Sequence, residues 1–110
     1  MTEKLDLTFY VAGVKFRKDW RSNLDELEVG ERLHLEPEPT NRFDKNAVKI
    51  LSELGTMLGY VPAKTGEALI VSEATARGVR MDTIIITLEP DFEPWTALEV
   101  QIVEIDNESL

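Results

Sequence analysis

Leu5, Leu7, Phe9 and Val11 alternate with Asp6, Thr8 and Tyr10, the period of a half-buried strand. After Gly13 the apolar set moves to Val14 and Phe16. A one-residue slip at a glycine predicts a β-bulge, with Lys15 and Arg17 sharing the polar face. Residues 17–28 lose the alternation and read as an irregular polar connection with room for a short helical turn, anchored by Trp20, Leu24 and Leu27. After a turn at Val29-Gly30-Glu31, strict alternation returns over Arg32–Glu36, with Leu33 and Leu35 inward and His34 outward. Pro37 and Pro39 stop this run from continuing as a central strand, because each removes a ladder donor.

Ala47, Val48 and Ile50, with Lys49 pointing the other way, predict a strand through Leu51. Ser52-Glu53-Leu54-Gly55 is a hairpin connection into a strand over Thr56–Val61. Pro62 suits the start of the next element, and residues 63–77 form the one convincing helix, with Leu69 and Ile70 facing the core and Arg77-Gly78 as its stop. Ile84-Ile85-Ile86, inside a strand over residues 79–88, is a β-branched run of the kind buried on both faces. Residues 89–95 are an acidic loop that carries Phe92 and Trp95. The last strand alternates at Leu98, Val100 and Ile102, then slips phase to Val103 and Ile105, and residues 106–110 read as a frayed tail. The sum is a mainly β (α+β) domain of about six strands with one main helix, most economically a small, partly open barrel.

Between the proline-broken strand and the next lies Pro39-Thr40-Asn41-Arg42-Phe43-Asp44-Lys45-Asn46, on which the rest of the chain is organised. Pro39 fixes φ, and Asn41 and Asp44 can bond backbone two residues on. An aromatic and a carboxylate, Phe43 and Asp44, therefore sit together in a loop at the mouth of a sheet, where function concentrates. On turn chemistry alone, the expectation is a well-made turn whose aromatic packs on the core.

Composition narrows the class. With 110 residues, 43% hydrophobic and 30% charged, the chain suits one globular domain over residues 1–110. It has no apolar run near the roughly 20 residues of a membrane span, and no basic-then-apolar start of a signal peptide. Cysteine is absent, which excludes disulfides and thiolate metal sites and fits a reducing, cytoplasmic setting. A formal net charge of −9 argues against a general nucleic-acid coat. The charge is uneven, however: between Lys15 and Lys49 acids and bases are equal in number, whereas beyond Ile50 only Lys64, Arg77 and Arg80 are basic. A neutral, base-bearing face on an acidic body suits contact with a few phosphates. A single histidine, no glycine-rich phosphate loop and no G-x-S-x-G elbow leave no catalytic constellation and imply no cofactor. The acid pairs Glu36/Glu38 and Asp91/Glu93 read as solvated loop carboxylates rather than a metal site. The chain reads as a binding module, not an enzyme.

Several ordered motifs carry a resemblance. Phe9-Tyr10-Val11-Ala12-Gly13-Val14, Gly30-Glu31-x-Leu33, Glu38-Pro39-x-Asn41-x-Phe43-Asp44-x-Asn46-Ala47-Val48 and Leu58-Gly59-Tyr60-Val61-Pro62 resemble the successive motifs of the HIRAN domain family. The resemblance spans about residues 5–80. It implies an OB-like barrel and, by analogy with the helicase-linked members, a grip on the 3′-hydroxyl end of single-stranded DNA, with a helicase or nuclease served in trans during repair or replication. It places Tyr10, Phe43 and Asp44 in the end pocket, with Asn41 and Arg42 in the same loop and Lys15, Lys45 and Lys49 neutralising phosphates. The chain departs from the family pattern at Phe9, Pro37, Arg42 and Phe43, and Gly59 and Tyr60 are expected to be structural. The competing expectation is a protein-interaction adaptor that keeps the barrel and uses its acidic face or the Phe92/Trp95 loop.

Overall fold

Strands form largely where the alternation places them in the computed structural model, which describes residues 4–105; the expected tail at 106–110 lies outside these. They are β1 (Asp6–Tyr10), β2 (Arg32–Pro37), β3 (Val48–Leu51), β4 (Met57–Tyr60), β5 (Met81–Leu88) and β6 (Leu98–Glu104), with helices α1 (Trp20–Asp25) and α2 (Glu67–Ala76). All pair antiparallel in one sheet, in the order β1-β6-β5-β2-β3-β4. β2 pairs with β5 only at Arg32 and Leu33, then with β3 from His34 to Pro37, so it carries the sheet from one half to the other.

This handover explains why a proline is tolerated inside β2. The Glu38 N–H donates to the Ala47 carbonyl at 2.8 Å, so by the alternation of antiparallel pairing the Pro37 nitrogen faces away from β3, where β5 has already parted.

The curled sheet brings its two edges together. Just past β1, the Ala12 N–H donates to the Tyr60 carbonyl at 2.9 Å, and the Tyr60 N–H donates back to Ala12 at 2.8 Å. This single bridge joins β4 to the extension of β1 and makes the sheet a partly open barrel. The approach is close enough to require Gly59, since a Cβ there would lie 2.4 Å from the Ala12 carbonyl oxygen and 2.6 Å from Val11 Cγ1. Inside the barrel Phe9, Val11, Ile50, Ile85, Val100 and Ile102 are buried, and Ala68 and Val71 of α2 join them. Burial of this apolar surface is the main favourable term of the fold.

Five local expectations are corrected. Gly13 does not make a bulge: at φ 72° it turns the chain off the sheet into a 3-10 turn over Val14–Phe16, burying Val14 and leaving Phe16 71% exposed. Helix α2 starts at Glu67 rather than residue 63, because Gly66 takes a left-handed conformation that a helix cannot contain. Its inward face is Ala68, Val71 and Ala74, not Leu69 and Ile70. Small side chains let the helix lie close against the barrel, and the two larger ones are left half-exposed. Only Ile85 of the isoleucine run is fully buried, with a register shift after it and Ile86 exposed. In β6 the inward set stays Leu98, Val100 and Ile102 to the end of the strand, without a change of phase.

The closure makes a direct demand on sequence. Gly59→Ala should lower stability by about 1–3 kcal/mol, the cost typical of overpacking, measured as a shift in the urea midpoint at unchanged slope. An unshifted midpoint would mean that the bridge can open without loss.

Candidate nucleic-acid interface

The loop between β2 and β3 is built from its own side chains. Asn41 Oδ1 accepts the backbone N–H groups of Phe43 at 2.9 Å and Asp44 at 3.0 Å, and Asp44 Oδ1 accepts that of Asn46 at 2.9 Å. These are Asx turns, in which a short polar side chain replaces a backbone acceptor. They leave Asp44 half-buried, with Oδ2 free of hydrogen bonds among the described residues. They also turn Phe43 outward. The expectation that this aromatic packs on the core is overturned, for Phe43 is 99% exposed.

Beneath the loop lies a cleft of about 320 Å³ lined by Asn41, Phe43, Asp44, Ala47 and Tyr60, with Ala12, Val61 and Ala63 completing it. A cluster on the outer face of the sheet supports it. Lys49 stands between Glu36 on β2 and Tyr60 on β4 in the register. Its ammonium lies 3.0 Å from Glu38 Oε2 and 3.5 Å from Glu36 Oε2. Glu38 Oε1 accepts the Tyr60 hydroxyl at 2.8 Å and the Asn41 side-chain N–H at 3.1 Å.

Glu38 is thus the hub through which strand and loop are joined. The bond from Lys49 holds its carboxyl below the usual carboxylate range, against a partial desolvation that acts in the other direction, and the bonds from Tyr60 and Asn41 assist. In return Glu38 raises the pKa of Lys49, and burial followed by Glu38 raises that of Tyr60. Near neutral pH Glu38 is therefore a carboxylate, Lys49 an ammonium and Tyr60 a protonated phenol. Of these groups only Tyr60 lines the cleft, whose walls are otherwise mostly apolar, with Asp44 as its one charged residue. The Asp44 carboxylate repels a phosphate and can accept from a neutral hydroxyl donor.

The structure gathers Asn41, Phe43 and Asp44 in this cleft and sets the other candidates around it. Arg42 and Lys45 are exposed on the same loop, with no ion-pair partner among the described residues. Lys49 is engaged by its two glutamates, so it holds the loop rather than presenting a free charge. Tyr10 stands outside the cleft, on the outward face of β1 opposite Glu99. Lys15 lies beyond Ala12 in a neighbouring groove, with its Nζ 5.1 Å from the Phe16 ring centroid.

Three residues of the arrangement escaped the sequence reading. Tyr60, expected to be structural, also lines the cleft through its side chain. Glu38 had the appearance of a loop acid. Arg17 carries a buried Nε without a hydrogen-bond partner among the described residues, and its charge reaches the Tyr60 hydroxyl. A signal existed only for Tyr60, an aromatic one strand over from an outward-facing lysine. Among the described residues no group of three potential ligands is placed to hold a metal ion, and no helix is long and apolar enough to cross a membrane.

Comparison with known proteins gives consistent results. The family model for the HIRAN domain matches residues 4–102. A Fanconi-associated nuclease 1 homolog from Arabidopsis thaliana is 35% identical over 60 residues, which cover 54% of this chain and 6% of that protein. The crystal structure of a protein from Lactobacillus plantarum superposes with a TM-score of 0.78 at 25% identity, covering 92% of each chain. The crystal structure of the HIRAN domain of human HLTF superposes with a TM-score of 0.70 at 15% identity, over 90% of this chain and 74% of that one, and supports the fold.

The hub has a pH signature. A carboxyl held below its unfolded value contributes stability that is present above that value and lost as pH falls through the folded one. Wild type should therefore be more stable than Glu38→Gln at pH 6, and the gap should shrink as pH is lowered below 4.5, the ordinary carboxyl value, toward 3. Urea unfolding of both proteins across that range measures it; a gap that stays constant would remove Glu38 ionisation from the account.

Proposed function

The chain belongs to the HIRAN domain family, and on that premise we propose that it is a non-catalytic module that binds a single-stranded DNA end through the 3′-hydroxyl. The observation that carries this reading is Phe43, an aromatic ring 99% exposed beside the free oxygen of Asp44 at a mostly apolar cleft. An exposed ring offers a stacking face worth about 1–3 kcal/mol per base, whatever the sequence. A carboxylate that can accept from a hydroxyl but repels phosphate distinguishes a strand end from its interior. Asn41 sets both residues in place, and Arg42 and Lys45 flank them with charge for the adjoining phosphates.

The same reading gives the module a role in trans, bringing ends to a nuclease or helicase during repair or replication in the cytoplasm. Its support is the relative named as a nuclease, of which this chain matches a small part. An adaptor that contacts protein through the exposed Phe92 and Trp95 is the competing reading.

Fluorescence anisotropy with short labelled strands ending in 3′-hydroxyl or 3′-phosphate separates the two. The hydroxyl end should bind more tightly. Asp44→Asn, which keeps an acceptor for the Asn46 amide but removes the charge, should narrow the difference by improving the phosphate end. Arg42→Gln and Lys45→Gln should weaken both ends alike, each reducing the salt slope by about 0.7, as expected for one single-strand phosphate contact. Equal affinity for both ends in wild type would end the hydroxyl reading, and no affinity for either would leave the adaptor.

A further inference from the structure

At the far end of β3 from the loop of Phe43, the chain turns into β4 through Ser52-Glu53-Leu54-Gly55. The turn is firmly pinned. The Gly55 N–H donates to the Ser52 carbonyl at 2.9 Å, the Thr56 N–H donates to the hydroxyl of the buried Ser52 at 3.0 Å, and Gly55 takes a left-handed φ of 93°. Its apex nonetheless presents Leu54, 95% exposed, where a turn ordinarily carries a polar residue. A lone exposed leucine needs no explanation, but Leu54 is not alone. With Leu27 and the buried Leu58 it lines an open groove of about 150 Å³ between the hairpin and the end of α1. Val29, in the turn that follows Leu27, is exposed as well.

The charge at this groove has one sign. Glu26, Glu31 and Glu53 line it, and Asp25 and Glu28 adjoin them in sequence. The two segments that form the groove, residues 22–31 and 50–63, contain no lysine, arginine or histidine. None of these acids has an ion-pair partner among the described residues, whereas on the neighbouring strands Lys49 answers Glu36 and Glu38. Like charges around exposed apolar carbon exclude several occupants. A nucleic-acid strand and an anionic membrane are repelled, and a second copy of this chain, itself at −9, is disfavoured too. The groove fits a cationic partner with an apolar group of about benzene size to set against Leu27, Leu54 and Leu58.

We propose that the groove between α1 and the β3–β4 turn docks a basic segment of a partner protein. One apolar side chain of that segment sits among Leu27, Leu54 and Leu58, and lysines or arginines on either side of it pair with Glu26, Glu31 and Glu53. The apolar anchor supplies affinity, and the glutamates supply orientation and rate of encounter. This surface shares no residue with the cleft under Phe43 or with the groove beside Trp95. Docking here therefore does not depend on the end-binding reading, and both surfaces can be occupied at once.

Fluorescence anisotropy in the absence of nucleic acid tests this, with a short labelled peptide of lysines and arginines around one central leucine and the same peptide with serine at its centre. Wild type should bind the leucine peptide about ten-fold more tightly, the low end of what burying one leucine side chain gives. Leu54→Ser, at an exposed position in a turn that Ser52 and Gly55 hold, should remove most of that difference. Glu26→Gln and Glu53→Gln should weaken both peptides and lower their salt dependence. Amide chemical-shift changes on adding the leucine peptide should gather at residues 26–31 and 52–56. Equal binding of the two peptides would mean only that a polycation is drawn to an acidic chain, and would overturn the proposal. So would no binding of either, a difference that survives Leu54→Ser, or shifts gathered at residues 89–93.

Discussion

Everything in the candidate site hangs from the bridge between Ala12 and Tyr60. Its two backbone hydrogen bonds join the edges of a curled sheet, and they form only because Gly59 offers no side chain to the Ala12 carbonyl. Closure fixes Tyr60, whose hydroxyl then reaches Glu38; Glu38 holds Lys49 and Asn41, and Asn41 holds the amides of Phe43 and Asp44. The site is therefore not a loop laid on a scaffold. It is the last link of a chain of contacts that begins with closure of the barrel.

On the proposed reading, the arrangement would let an acidic protein meet one end of a polyanion. The excess negative charge lies mostly beyond Ile50, and the cleft itself is lined mostly by apolar side chains, with Asp44 as its one charged residue and no cation. A strand end presents a neutral hydroxyl, and the interior of a strand does not. On the proposed reading, a carboxylate that would hinder a general coat protein would at this cleft favour termini. The free cations, Arg42 and Lys45, stand on the rim, where they would meet phosphates without entering the cleft.

Much of this was legible in the sequence because period-two alternation is forced wherever one face of a strand is buried. Leu33 and Leu35, and the run of Leu98, Val100 and Ile102, declared themselves on that basis. The failures have a common cause, which is that packing depends on distance and not only on polarity. Leu69 and Ile70 are the larger apolar residues of α2, yet Ala68, Val71 and Ala74 face the barrel because they let the helix come close. Lys49 looked like a free cation, since its partners Glu36 and Glu38 are distant in sequence and meet it only across the β2–β3 register. Asn41, Phe43 and Asp44 were found together because they sit on one short loop, whereas Tyr60 of β4 and Arg17 lie elsewhere in the chain and only folding brings them near.

The pairing of β1 with β6 sets the order in which such a protein can acquire its site. β1 is the first strand described and β6 the last, and the remaining neighbour of the β1 segment is the single bridge to β4. Contacts so far apart in sequence are slow to form, because the chain loses loop entropy before it gains any contact. The hairpin of β3 and β4 can assemble early and carry the Lys49 and Tyr60 side chains with it. Ala12 extends the strand that β6 holds, so the wall it gives to the cleft depends on the pairing most distant in sequence.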